Sequence, residues 1–197
     1  MSSSTRQQFI AAAEALFAER GFYGVSIAAI ADELGLTKQA LLHHFGSKER
    51  LYAEVLANIS GRLMEVTRLI MSEAEDAGTQ LEELVIAQYR EQMSNPDSAR
   101  LIMRELLDNE QRAAQAGNWF LKPYLESLVD TVQANKATAD LERGAALALV
   151  YQLLGAAHYF AVSQPTLTMI FGAKTLGKAR GCYEDELRTL IRSRLAS

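Results

Sequence analysis

Apolar side chains along this chain recur at helical spacings almost from end to end. Phe9, Ile10, Ala13, Leu16 and Phe17 form one stripe, which predicts a helix from about Ser4 to Arg20 closed by Gly21. Ser26 is an N-cap for a short helix, about Ile27 to Leu34, with Ile27, Ile30, Ala31 and Leu34 facing inward and Gly35 ending it. Thr37 caps a second short helix, Lys38 to His44, anchored by Leu41 and Phe45. Two short helices joined by a glycine-containing turn predict a helix-turn-helix.

From Ser47 onward Leu51, Val55, Ile59, Leu63, Val66 and Ile70 predict a long helix joining head to body. Gly78 interrupts the pattern, and Leu81, Leu84, Val85, Tyr89 and Met93 define the next helix, ending near Ser94. Asn95-Pro96-Asp97 reads as a cap with proline at the first helical position, so another helix should run to about Asn109. The polar stretch 110–118 reads as a loop or frayed end, and 119–135 as a helix started or kinked by Pro123. A helix over 140–163 is so apolar that it should be covered on most sides. Gln164-Pro165-Thr166 then predicts a break, 167–172 a loop or short turn, and 173–196 a final amphipathic helix. No stretch alternates with the period of a strand, and the pattern predicts an all-α chain of nine or ten helices.

The chain of 197 residues, 49% hydrophobic and 22% charged, has enough apolar material for a substantial core. Its lone Cys182 allows no internal disulfide, which fits a reducing cytoplasm. The first residues lack the apolar core of a signal peptide, and residues 144–162, though apolar, carry Gln152, His158 and several glycines and alanines, which favours a buried helix over a membrane span.

The net charge of −4 argues by itself against nucleic acid as a partner, but its distribution changes that reading. Residues 1–52 hold five basic side chains (Arg6, Arg20, Lys38, Lys48, Arg50) and five acidic ones (Glu14, Glu19, Asp32, Glu33, Glu49). Three of those cations, with His43 and His44, fall between positions 38 and 50, where Glu49 is the one acid. With Leu41 and Phe45 inward, Thr37, Lys38, Gln39, Leu42 and His43 point outward, as a recognition helix presents side chains to the major groove. Gln39 suits adenine, Lys38 a guanine edge or phosphate, and Leu42 a thymine methyl. Backbone N–H groups at the helix starts after Ser26 and Ser47, with Lys48, suit phosphates.

The order and spacing of Gly21-Phe22, Ile30-Ala31, Gly35-Leu36-Thr37, His44-Phe45 and Ser47-Lys48-Glu49 closely resemble the N-terminal domain of the TetR-type (TetR/AcrR) family of bacterial transcriptional repressors. The resemblance covers about 50 residues; beyond residue 60 it is one of helical layout alone. The family usually carries paired tyrosines before its His-Phe step, and here Leu42 and His43 stand there, so one phosphate-binding phenol is missing and His43 must replace the other. The resemblance implies a helix-turn-helix DNA-binding domain at 1–50 and a helical effector-binding and dimerisation domain at 51–197. It also implies a homodimer through the last two long helices, set on a near-palindromic operator and released by a small molecule.

Candidates for the effector site are Tyr89, Met93, Met103, Trp119, Tyr124, Tyr151 and His158, which point to a largely apolar ligand. Each has an ordinary role in core packing as its alternative, and for His158 that is a buried, hydrogen-bonded imidazole. Adjacent His43 and His44 lack the i, i+4 spacing of a helical zinc pair, so no metal is expected, nor a cofactor. No nucleophile motif or phosphate loop suggests an enzyme. The rival reading is a helical ligand-binding or adaptor protein without DNA binding, favoured by Leu42 and the neutral head.

Overall fold

In the computed structural model, residues 4–107 and 119–195 are described. Among them every regular element is a helix: α1 (Thr5–Arg20), α2 (Ile27–Glu33), α3 (Lys38–Phe45), α4 (Lys48–Glu73), α5 (Ala77–Ser94), α6 (Pro96–Leu107), α7 (Lys122–Ala134), α8 (Arg143–Val162) and α9 (Gln164–Leu195). Of the expected polar stretch 110–118 and the end of the helix expected to reach Asn109, residues 108–118 lie outside the described residues. The chain divides into two compact units, residues 1–61 with 97–120 and residues 62–96 with 121–197. The first takes in more than the 1–50 head expected from the sequence, because the start of α4 and α6 from Asp97 onward pack with it.

In the first unit, local chemistry sets each helix start. Ser4 and Gln7 form a capping box on α1, while Ser26 accepts from the Ala29 N–H at 3.1 Å and Thr37 from the Ala40 N–H at 3.2 Å. Between α2 and α3 the chain turns at Gly35, whose φ of 64° favours glycine, and the Leu36 N–H returns to the Ala31 carbonyl at 2.9 Å. Phe9, Phe17, Ile30 and Leu41 are fully buried, and burying side chains of this size contributes about 1.5–3 kcal/mol each. Tyr52 of α4 stands edge-on to Phe17 at 4.9 Å and donates its hydroxyl to Glu105 of α6. Arg104, also on α6, donates to the carbonyls of Ala18 at 2.9 Å and Glu19 at 2.8 Å, closing the C-terminal end of α1.

The second unit is built around α5, α7, α8 and α9. Leu81, Leu84, Val85 and Ile86 of α5, Leu128 and Val132 of α7, and Leu149 and Leu153 of α8 form its apolar core. Across α5 and α9 lies an ionic cluster: Glu82 receives Arg188 at 2.7 Å and Arg192 at 2.7 Å, Arg188 also reaches Glu83 at 2.6 Å, and Arg90 pairs with Glu184 at 2.6 Å. Burial pushes the Glu82 carboxyl up, but the hydrogen bonds from Arg192 and Arg188, with their charges, outweigh it and hold the group below its usual range.

Four expectations need correction. The sequence predicts a break at Gln164-Pro165-Thr166, a loop or short turn over 167–172 and a final helix from 173, whereas helix already begins at Gln164 and runs to the non-helical Gly172, after which the expected final helix follows. Proline is tolerated in a first turn, where its missing N–H has no helical partner, and the irregularity falls instead at Gly172, with φ 79° and ψ 154°. Gly78 does not interrupt a helix: Asp76 caps α5 by accepting from the Gly78 and Thr79 N–H groups at 2.9 and 3.0 Å, and Gly78 sits in the first turn. Val66 is 40% exposed, because the buried row of α4 advances by four residues through Leu51, Val55, Ile59 and Leu63 to Thr67. Thr67 satisfies its hydroxyl on the Leu63 carbonyl at 2.8 Å. Helix α8 is long and apolar enough to pass for a membrane span by length and composition, yet it is not covered on most sides. It buries Ala146, Leu149, Val150, Leu153, Ala157, His158 and Ala161 and exposes Leu147, Tyr151 and Tyr159.

The folded-state pKa of Glu82 lies below its unfolded value, so its stabilisation is present above that unfolded value and lost as pH falls through the folded one. Glu82→Gln is therefore expected to cost about 2–3 kcal/mol at pH 7, since it removes one partner of a buried pair. It should also flatten the acid limb of stability below about pH 4.5. Urea unfolding followed by circular dichroism between neutral and acid pH measures both effects.

Candidate nucleic-acid interface

Eight residues make too short a helix to stand alone, so the direction in which α3 faces is decided by what lies beneath it. Leu41 is fully buried and Phe45 5% exposed, with the Phe45 ring edge-on to Phe9 of α1 at 6.2 Å and Arg6 lying 5.2 Å over it. The opposite face carries Thr37, Lys38, Gln39 and His43, all exposed, with Leu42 half-buried at its edge. Lys38 and Leu42, and likewise Gln39 and His43, are four residues apart and so lie one above the other along the helix. The result is a short exposed row of one cation, one amide, one imidazole and one aliphatic group. Such a row supplies hydrogen-bond donors, an acceptor and a methyl-seeking surface to whatever meets it.

The other head residues singled out by sequence have mixed placements. Ser26 is exposed at the start of α2, its hydroxyl oxygen engaged by the Ala29 N–H. His44 is exposed but packs its ring 5.9 Å from Phe9 and 5.8 Å from His43. It also borders a recess lined by Phe45, Arg50, Ala53, Glu54 and Ala57. Lys48, expected to hold phosphate, is half-buried. Its ammonium donates to the carbonyls of Phe22 at 2.8 Å and Val25 at 2.9 Å and sits 4.2 Å from the Phe22 ring centroid. Two of its three donors thus fasten the start of α4 to the loop before α2, and a third is all that a phosphate could use.

Sequence reasoning missed two residues. Tyr23 is 83% exposed beside Phe22 and offers a phenol three positions before Ser26. Isolated in an irregular segment, it belongs to no periodic pattern. Arg104 is the second, and its partners lie more than 80 positions away in the chain.

Of the seven effector candidates, Met103 and Trp119 belong to the first unit and the other five to the second. In the second, Tyr89 is 5% exposed and lies 5.4 Å from Tyr183; Met93 is half-buried. Tyr124, 3% exposed, donates its hydroxyl to Gln88, and burial pushes that phenol's pKa up. His158, 6% exposed, has Nδ1 at 2.6 Å from the Gln92 amide nitrogen, the buried and hydrogen-bonded state set against a ligand role above. Tyr151 is not brought to this group. At 47% exposed it lies on the outer face of α8, since the buried positions on either side of it define the opposite face.

Residues 9–55 match the family described as bacterial regulatory proteins, tetR family. Over 87 residues, 44% of the chain, the sequence is 36% identical to the HTH-type transcriptional repressor KstR2 of Rhodococcus jostii (strain RHA1), covering 43% of that protein. Over 55 residues it is 42% identical to the HTH-type transcriptional repressor BdcR of Escherichia coli (strain K12), covering 28% of each chain. Less than half the length of these curated relatives is therefore matched. Among solved structures, the fold is similar to the fatty acid degradation regulator FadR of Bacillus halodurans, with a TM-score of 0.71 at 19% identity over 99% of this chain and 96% of that one. It is also similar to the regulator FadR of Bacillus subtilis in complex with stearoyl-CoA, with a TM-score of 0.72 at 18% identity over 94% and 96%.

Removing the Lys48 ammonium leaves two loop carbonyls without their donor. Lys48→Met is expected to lower the stability of the first unit by about 1–3 kcal/mol, visible as an earlier thermal transition in scanning calorimetry. An exposed lysine would show no such effect.

Proposed function

We propose that the chain is a DNA-binding transcriptional repressor of the TetR family of bacterial regulatory proteins, whose model matches residues 9–55. In this reading it acts in the cytoplasm as a homodimer on a near-palindromic operator and is released by a small, largely apolar effector. The observation that carries the reading is the exposed row Thr37, Lys38, Gln39 and His43 on a helix whose other face is fixed by Leu41 and Phe45. Gln39 would pair with adenine through its amide, Lys38 with a guanine edge or a phosphate, and Leu42 with a thymine methyl. Ser26, Thr37, His43, His44 and the remaining donor of Lys48 would hold the backbone. With no net charge on residues 1–52, one head has little electrostatic affinity, so binding rests on a few placed groups and on pairing two heads.

The surface of α8 and α9 supports the pairing. Tyr151, Tyr159, Met169, Ile170 and Phe171 are 47–86% exposed, and no charged residue occurs from 144 to 162. A large apolar exposure of this kind marks an interface. Joined there by a two-fold axis, two copies would set their recognition helices about 34 Å apart, one turn of DNA. An effector bound in the second unit would release the operator only if it prefers the conformation in which the heads are wrongly spaced.

Selection from random duplexes followed by mobility shift tests the reading: a near-palindromic site should be enriched and its binding should weaken steeply with salt. Lys38→Ala/Gln39→Ala should abolish sequence preference while light scattering still reports a dimer, each lost base contact costing about 1–3 kcal/mol. Failure to enrich any sequence would overturn the proposal. Separately, Phe171→Glu should yield a monomer in light scattering and weaken operator binding at least tenfold.

A further inference from the structure

The core of the second unit is unusually polar for three packed helices. Gln88 and Gln92 of α5, Tyr124 and Thr131 of α7, and His158 of α8 are each at most 6% exposed. Most of these groups are matched: the Tyr124 hydroxyl donates to Gln88, and Thr131 donates to the Ser127 carbonyl at 2.7 Å. Gln92 is different. Its amide nitrogen meets His158 Nδ1 at 2.6 Å, but its amide oxygen, in a residue only 2% exposed, has no hydrogen-bond partner. Turning the amide over would not help, because the oxygen would then face His158 and an NH2 group with two hydrogens would be buried instead of one acceptor. A buried amide oxygen without a donor is costly and calls for an explanation.

The charges around this core narrow what could supply the donor. Among the described residues of the second unit no lysine or arginine is buried. The two half-buried cations already face carboxylates: Arg62 pairs with Glu91 at 3.2 Å, and Arg188 with Glu82 and Glu83. Among the described residues of the second unit, a carboxylate or a phosphate brought beside Gln92 would meet a lone pair on an amide oxygen and no buried lysine or arginine, losing hydration without compensation. A hydroxyl on an apolar skeleton would lose little and satisfy the oxygen.

We propose that the Gln92 amide oxygen is the polar anchor of the effector site, and that the site takes an uncharged, largely apolar molecule through a hydroxyl that it donates, not a carboxylate or a coenzyme A thioester. This rests on the reading above that the second unit holds an effector, and it adds the ligand's chemical class and the residue that selects it. Because Gln92 is only 2% exposed, the ligand reaches it by displacing side chains that cover it, which ties occupancy to the packing around α5.

The test uses the full chain and matched probes on two skeletons: 1-dodecanol, its methyl ether and dodecanoate; and 2-naphthol, its methyl ether and 2-naphthoate, with dodecanoyl-CoA as a further anionic probe. Binding is read by calorimetry and by intrinsic fluorescence. At least one alcohol should bind about tenfold or more tightly than its own ether, which keeps the skeleton and lacks the donor, and than its own carboxylate. In Gln92→Leu that preference should vanish, with the alcohol falling to the level of the ether. The proposal is overturned if no alcohol binds, if an anionic probe binds more tightly, or if the preference survives in Gln92→Leu. Should Gln92→Leu not fold, Gln92→Glu takes its place: an anchoring carboxylate should keep the alcohol preference and exclude dodecanoate further. Operator binding without any probe is measured in parallel. Its loss counts against the repressor reading, whereas its survival with a failed alcohol preference counts against the anchor alone.

Discussion

The packing of Phe45 and Leu41 beneath α3 decides which side chains this protein shows to its surroundings. An eight-residue helix has no independent stability, and rotating it by one residue would bury Gln39 or Leu42 and expose an anchor. Phe9 blocks that rotation from α1, Thr37 fixes the first turn, and Gly46, with its N–H on the Leu42 carbonyl at 2.8 Å, fixes the last. Lys48 then holds the following helix to the loop that precedes α2. Residues that might be taken for binding groups by their charge thus divide into those that hold the presenting helix and those that it presents.

The same division runs through α6. Its sequence reads as one more amphipathic helix, but Arg104 and Glu105 direct their side chains to the end of α1 and to Tyr52. The described residues of the first unit thereby join α1, α2, α3, α6 and the start of α4, and any displacement of α6 would act on α1 through hydrogen bonds to its last carbonyls. A helix end held by a cation from another element is stiffened at the point where its own backbone bonding runs out.

Much of this was legible in the sequence. Helix starts at Ser4, Ser26, Thr37 and Ser47, the turn at Gly35 and the inward residues Ile30, Ala31, Leu41 and Phe45 follow from local rules, and the structure has them so. Local rules also explain the errors: Pro165 looks like a break because proline usually is one, and Val66 fits an apolar stripe as well as Thr67 does until the actual row is known. What could not be read were pairings between distant positions. Lys48 with Val25, Arg188 with Glu82 and Gln92 with His158 are separated by 23, 106 and 66 residues, and no periodicity announces them. The apolar character of α8 was evident, but whether its second face meets the chain itself or something else is a question composition does not answer.

Gly172 shows how misleading solvent exposure is as a guide to what a position tolerates. Its surroundings are empty: a Cβ placed there would touch nothing within 4 Å. Ranked by accessibility, it would be assigned to the freely varying surface. Yet its backbone, at φ 79° and ψ 154°, occupies a region that side-chain-bearing residues scarcely enter. Any replacement would swing Met169, Ile170 and Phe171 to a new bearing and pull on the Arg180–Gln164 hydrogen bond that spans the kink, while leaving the apolar core of α5, α7 and α8 in place. A survey of variants would then find a folded, soluble-looking chain with an altered assembly, and the fault would lie at a residue that touches nothing.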